Sequence, residues 1–231
     1  MSKFYLGNKT ARLIILQRIE LASSILKKVR KLFGRYIFSN YISKYFLNKD
    51  LIEKKYYTLM ESEFNLLKKH LSFDNKNILS IGGGVGGLEV LIGKNFDCSF
   101  TFIEKNYTSK KVKYGWDKDN KEAYNDLRLL KNFLLDNNIS QERFKIFDYD
   151  NDILPDVKFD IIISLYSLDY HYDFNQYAVY LKKNTHKESK IIFDTVRPDF
   201  FKSVFKDVVI LSETTKRVHS SKRLLCKNFL N

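Results

Sequence analysis

One stretch constrains this chain more than any other: Asn77 to Glu104, NILSIGGGVGGLEVLIGKNFDCSFTFIE. A short apolar run, Ile78 to Ile81, breaks into Gly82, Gly83, Gly84, Val85, Gly86 and Gly87. A helical pattern of Leu88, Val90, Leu91 and Ile92 follows, then a second apolar run, Phe100 to Ile103, which stops at Glu104. Read physically, this is strand, tight turn, helix, strand, carboxylate. Glycines let the main chain take positive φ and lie bare against a ligand. The N–H groups that open the next helix face whatever sits on the turn. Glu104 falls where a carboxylate accepts hydrogen bonds from the two hydroxyls of a ribose. A nucleotide-type cofactor site is therefore expected on Gly82, Gly83, Gly84, Gly86 and Glu104. Gly82-x-Gly84-x-x-Gly87 also satisfies the dinucleotide fingerprint literally, so the residues alone leave the cofactor open.

The chain before this stretch is basic and helical. From about Ala11 to Phe38, Ile15, Ile19, Ala22, Leu26, Val29, Phe33 and Tyr36 recur at steps of three or four, interleaved with Arg18, Lys27, Lys28, Arg30, Lys31 and Arg35. Such an amphipathic helix packs on its own domain or on a partner subunit in a homo-oligomer, lies on an anionic membrane, tracks phosphates, or forms a lid over the cofactor. Asp50-Leu51-Ile52-Glu53 reads as a capping box for a helix running to about Leu71. A boundary is expected near residues 48–50, with 1–49 a basic extension and 50–231 the main domain.

After Glu104 a polar connection leads to a helix over Ala123 to Leu135, which Asn137 and Asn138 stop. Strands are expected at Phe144–Phe147, Phe159–Ser164 and Lys190–Asp194, with a helix over Asp173–Lys182 between the last two. A short helix is expected at Phe200–Phe205, and two closing strands at Val208–Leu211 and Leu224–Cys226. Strand and helix alternate, which predicts a Rossmann-like α/β fold. The expected architecture is a seven-stranded, mostly parallel sheet with helices on both faces, preceded by N-terminal helices and closed by an antiparallel hairpin.

Composition narrows the partners. Forty Lys and Arg against 27 Asp and Glu give a formal charge of +13, which favours nucleic acid, phosphorylated molecules or acidic lipid. Two cysteines, Cys98 and Cys226, with no C-x-x-C pair, suggest neither a zinc cluster nor a disulfide framework, and no metal is called. Asp148, Asp150 and Asp152 have calcium-loop spacing, but position six is Ile153 and position twelve Phe159, so that pattern fails. No secretory signal pattern and no apolar run of ~20 residues is present, so a cytoplasmic location is expected, peripheral at a membrane if the basic helix docks there.

The glycine stretch resembles motif I of class I S-adenosylmethionine-dependent methyltransferases, an apolar run, an acid and G-x-G-x-G. The chain departs at Ser80, where the family has Asp or Glu to help hold the methionine end of the cofactor. A narrower likeness covers roughly Ile78 to Val196. Tyr114-Gly115, Ala123-Tyr124-Asn125-Asp126-Leu127 and the loop Ser164-Leu165-Tyr166-Ser167-Leu168-Asp169-Tyr170-His171-Tyr172 resemble bacterial sugar O-methyltransferases. In those proteins the loop reads Ser-Trp-Gly-(Tyr/Phe)-His-(Tyr/Phe)-Pro. Here Leu168-Asp169 replaces Trp-Gly and Asp173 replaces Pro.

The resemblance implies the methyltransferase fold, S-adenosylmethionine as cofactor, and methyl transfer to a hydroxyl of a sugar, nucleotide-sugar or surface glycan. It places Ser80, the glycines, Glu104 and Ser164 on the cofactor and Asp148 on adenine. Beside these, Tyr166, Tyr170 and Tyr172 would exclude water and stack on the acceptor. His171 would take the proton from the attacking hydroxyl, and Asp169 would orient it or act in its place. Enzymes acting on exocyclic amino groups of bases carry an acid or amide before Pro-Pro-aromatic, whereas the only prolines are Pro155 and Pro198. Neither cysteine follows a proline, as C5-pyrimidine enzymes require. Ribose 2′-O methylation of RNA, RNA binding through the basic face, and a non-catalytic cofactor-fold protein stand as alternatives.

Overall fold

The computed structural model describes residues 3–107, 125–169, 172–212 and 221–230. The chain divides into two compact units. The first comprises Met1–Phe73, Gly84–Phe96 and Glu104–Glu142; the second comprises Asp74–Gly83, Asp97–Ile103 and Arg143–Asn231.

The first unit is built from helices α1 (Asn8–Gln17), α2 (Ser24–Ile37), α3 (Ser43–Tyr45), α4 (Lys49–Leu67), α5 (Gly87–Asn95) and α6 (Leu127–Asp136). The single long helix expected over 11–38 is broken. Helix α1 ends at Arg18, a 3-10 turn spans Ile19–Leu21, and α2 begins afresh at Ser24. The Ser23 hydroxyl accepts from the Leu26 N–H at 3.3 Å, which caps the new helix at its start. Gly34 (φ 77°) interrupts α2 again, and a π-helical turn, Phe38–Ile42, leads into α3. Arg12 holds this return, donating to Ser43 Oγ at 3.0 Å and to the Ser39 carbonyl at 2.8 Å.

Helix α4 starts as predicted in place but not in chemistry. Asn48, not Asp50, is the cap, its Oδ1 accepting from the Leu51 N–H at 2.9 Å. Glu53 is buried and accepts instead from the Phe4 N–H at 2.9 Å. Tertiary packing outweighed the local box, because Phe4 inserts between Tyr56, Tyr57 and Phe133 at centroid distances of 5.6, 5.1 and 5.4 Å. Asn137 adds two bonds to the Tyr5 backbone. The N-terminal segment is thus fastened to α4 and α6. Burying a side chain such as Phe4 contributes on the order of 2–3 kcal/mol.

The second unit is a seven-stranded sheet with helix α7 (Asn175–Lys183). Its strands are β1 (Lys76–Ile81), β2 (Cys98–Glu104, whose last residue belongs to the first unit), β3 (Phe144–Asp148), β4 (Phe159–Ser164), β5 (Thr185–Thr195), β6 (Phe205–Ser212) and β7 (Lys222–Phe229). Their spatial order is β3-β2-β1-β4-β5-β7-β6. Strand β1 pairs in parallel with β2 and β4, and β4 with β5, whereas β7 runs antiparallel between β5 and β6. This is the seven-stranded, mostly parallel arrangement expected from the sequence, including the terminal hairpin. The strands form where apolar runs lie, because a parallel strand buried on both faces needs side chains such as Ile161, Ile162 and Ile163 throughout. One core gathers Leu79, Ile81, Ile162, Ile191, Phe193 and Leu224 with Phe174, Phe201 and Phe205. Its rings interlock, Phe193–Phe201 at 4.6 Å and Phe174–Phe201 at 5.0 Å. Strand order reverses between β1 and β4, which makes the carboxyl end of β1 the switch point where open α/β sheets bind ligands.

Candidate functional site

The glycine turn leaves β1 at that switch point. Gly82, Gly84 and Gly86 all have positive φ, 66°, 70° and 82°. The turn therefore needs glycine for its backbone, and neighbours enforce it again. A Cβ on Gly82 would lie 1.9 Å from Ser167 Oγ, one on Gly84 2.7 Å from Gln17 Oε1, and one on Gly87 2.5 Å from the Tyr56 hydroxyl.

In the first unit Glu104 is buried at the end of β2. Its Oε1 accepts from the Gly84 N–H at 2.9 Å and its Oε2 from Asn125 Nδ2 at 2.9 Å. Asn125 also donates to the Gly84 carbonyl at 3.2 Å and accepts from Gln17 Nε2 at 3.4 Å. The Tyr56 hydroxyl accepts from the Gly87 N–H at 3.1 Å, and burial pushes its pKa well above the usual tyrosine value. The turn, the acid and two carboxamides thus form one network. Asn125 stands just before the α6 cap Asp126 and was legible as part of Tyr-Asn-Asp-Leu without a role. Nothing in the sequence connects Gln17 to it, 108 residues away.

In the second unit the remaining candidates sit at other strand ends. Ser80 is buried on β1. Ser164 closes β4 onto β1, donating to the Ile81 carbonyl at 2.8 Å and accepting from the Leu168 N–H at 2.9 Å. Asp148 ends β3 in a self-contained turn. Its oxygens accept from the Asp150 N–H at 3.2 Å and Asn151 Nδ2 at 2.7 Å, while its own N–H donates to Asp152 at 2.7 Å.

The loop after β4 is held by buried charge. Asp169 is fully buried with φ 57°. It accepts from Thr195 Oγ1 at 2.6 Å and from Arg197 Nε at 3.0 Å. That pairing raises the Arg197 pKa above its ordinary value. Tyr166, with φ 58°, donates its N–H to Asp194 at 3.2 Å. Asp194 in turn forms a two-point pair with Arg223 across β5 and β7, at 3.1 and 2.9 Å, both side chains fully buried. The loop then closes on itself: the Asp169 N–H donates to the Tyr172 carbonyl at 2.6 Å, and the Tyr172 N–H to the Ser167 carbonyl at 3.2 Å. Tyr170 and His171 lie outside the described residues, as do Tyr114, Gly115, Ala123 and Tyr124 of the sequence likeness. Thr195, Arg197 and Arg223 carried no sequence signal, because their partners lie 26 to 29 residues away.

Among the described residues no group of His, Cys, Asp or Glu is placed to hold a metal ion, and no helix is long and apolar enough to cross a membrane. Both cysteines are buried and burial raises their pKa values, that of Cys98 to about 11.

No protein-family model and no curated protein matches the chain. Solved structures do. A conserved hypothetical protein of Streptococcus pyogenes is similar over 73% of this chain and 94% of its own, with 14% identity and a TM-score of 0.50. A ribosomal protein L11 methylase of Lactobacillus delbrueckii subsp. bulgaricus shows 13% identity over 76% of this chain and 78% of its own, with a TM-score of 0.45. A SAM-dependent methyltransferase of Geobacter sulfurreducens, solved with S-adenosyl-L-homocysteine, shows 9% identity over 68% of this chain and 50% of its own, with a TM-score of 0.41. The chain spans about half the length of two further structures it matches, 49% and 50%. At these identities the likeness speaks to the fold.

Proposed function

We propose that this chain is an S-adenosylmethionine-dependent methyltransferase acting on a hydroxyl of a small molecule, a sugar, nucleotide-sugar or surface glycan. The observation that carries the reading is Glu104: a buried carboxylate at the end of β2, joined to the glycine turn through the Gly84 N–H. A ribose diol both donates and accepts hydrogen bonds. Glu104 supplies acceptors for the hydroxyls, and Asn125, which donates to Glu104 and to the Gly84 carbonyl, holds the carboxylate in place. The strand order and the sequence likeness to motif I supply the rest of the case. Asp148 is assigned to adenine, Ser80 to the methionine end and Ser164 to the cofactor without a position on it.

When bound, the cofactor supplies a methyl group already activated by the sulfonium charge. The chain's own work is positioning the acceptor and removing its proton. Asp169 is committed to Arg197 and Thr195, which suits a loop anchor better than a base. His171 is then the proton acceptor that the sequence offers, with Tyr166, Tyr170 and Tyr172 on the acceptor.

Calorimetric titration with S-adenosylhomocysteine and with NADH tests the reading. We expect binding of the former alone, weakened by about 1–3 kcal/mol in Glu104→Ala, the net worth of hydrogen bonds to a charged group. No binding of S-adenosylhomocysteine, or tighter binding of NADH, overturns it.

A further inference from the structure

From Leu21 to Lys49 the sequence has seven Lys or Arg and no Asp or Glu. In α2, Ile25, Val29, Leu32 and Phe33 fall on one side at 100° per residue, and Lys27, Lys28, Arg30 and Lys31 on the other. In an ordinary surface helix the apolar side would be the buried one. Here it is not. Ile25 is 71% exposed, Leu32 77% and Phe33 51%. The exposed row continues through Ile37, Tyr41, Tyr45 and Phe46, the last two at 77% and 70%. What α2 and the turns after it bury are Phe38, Ser39 and Ser43, and Arg12 donates to the last two. The segment is thus anchored by one edge while its large apolar side chains face outward.

We propose that α2 and the turns to Phe46 form a docking surface for an anionic lipid bilayer, on which α2 lies flat. Three features favour this occupant. An apolar stripe edged by lysines matches the layering of an interface, acyl chains below and phosphate headgroups beside. Tyr41 and Tyr45 are of the aromatic type that settles at headgroup depth, and Phe33 and Phe46 are apolar side chains suited to the acyl boundary. The cations have no acid among them, so a second copy meeting this face about a two-fold axis would bring like charge against like charge. The helix is too short and too charged to span, so the contact is peripheral. The inference stands on this surface alone and does not need the cofactor reading.

Co-sedimentation of the full chain with vesicles tests it. We expect binding to phosphatidylcholine vesicles containing one third phosphatidylglycerol, at least tenfold weaker with phosphatidylcholine alone, and weakened likewise between 0.1 and 0.5 M salt. Leu32→Glu/Phe33→Glu should lose at least tenfold in partitioning while its thermal unfolding stays that of the parent, because both side chains are already exposed. Lys27→Gln/Lys28→Gln/Lys31→Gln should abolish the preference for the anionic lipid. The proposal is overturned if the parent ignores both vesicles or the apolar variant binds as the parent does. It is equally overturned if light scattering shows a dimer that Leu32→Glu/Phe33→Glu dissolves, or if an RNA oligonucleotide competes the protein off at equal phosphate concentration.

Discussion

Two loops at the carboxyl ends of neighbouring strands solve the same problem in opposite ways. The turn after β1 reaches positive φ by having no side chains, at Gly82, Gly84 and Gly86. The loop after β4 reaches it with Tyr166 and Asp169, residues for which that conformation costs on the order of 1–3 kcal/mol each. The first is shaped by what is missing and offers bare backbone. The second is held in place by fully buried Asp169, Asp194, Thr195 and Arg223. A turn of glycines can serve any chain that binds a nucleotide. A loop pinned by buried ion pairs depends instead on partners from β5 and β7.

The largest effect expected from breaking this contrast is at Asp194. Asp194→Asn leaves Arg223 buried without its charge partner and weakens the acceptor for Tyr166. We expect about 3–5 kcal/mol lost in urea unfolding, most of it recovered in Asp194→Leu/Arg223→Met, where neither charge remains. A loss under ~1 kcal/mol would mean the pair does not hold the loop.

Gly82→Ala comes next. It forces a side chain into positive φ and onto Ser167, for about 2–4 kcal/mol of stability. The double variant Gly82→Ala/Ser167→Gly keeps the strain and removes the clash, so it should return all but ~1–2 kcal/mol. If it returns nothing, the turn's glycines are needed for φ alone.

Asp169→Asn should cost about 1–3 kcal/mol by weakening its bonds to Arg197 and Thr195. The pH dependence has a definite sign. The folded Arg197 pKa is raised, so its contribution is fully present below the ordinary arginine range and is lost only above it. The difference between parent and Asp169→Asn contributed by Arg197 should therefore be flat from pH 6 to 10 in chemical denaturation. A difference that fades as pH rises through that window would show a titrating partner other than Arg197.

The same contrast explains what the sequence discloses. The seven strands could be read because buried parallel strands demand apolar runs, and the glycine turn because its chemistry is local. Local too was the stop at Asn137. Where distant residues decide, local reading failed. The chain left helical geometry at Arg18 although the periodicity ran on unbroken. Phe4, 49 residues away, took Glu53 from its capping box and left Asn48 as the cap. Thr195 and Arg197 come to Asp169 only through the fold.

The smallest effect belongs to Gln17, and it returns to the first loop. Its side chain closes the network Gly84–Glu104–Asn125, with Nε2 on Asn125 Oδ1 and Oε1 beside the Gly84 Cα. Asn125 Oδ1 accepts from Gln17 Nε2 and from the Asp126 N–H, so its Nδ2 is turned toward Glu104 and the carboxylate is held in one orientation. Gln17→Ala removes the outermost link and leaves the Gly84 N–H on Glu104. We expect affinity for S-adenosylhomocysteine to fall by about 0.5–1.5 kcal/mol, the worth of one neutral hydrogen bond, with stability in urea changed by less than that. Gln17→Glu separates orientation from bulk. It keeps the shape but replaces a donor by an acceptor facing an acceptor, so it should bind more weakly than Gln17→Ala. Equal or tighter binding in both variants would make Gln17 a wedge on the turn rather than part of its grip. The first loop, like the second, would then be shaped by side chains.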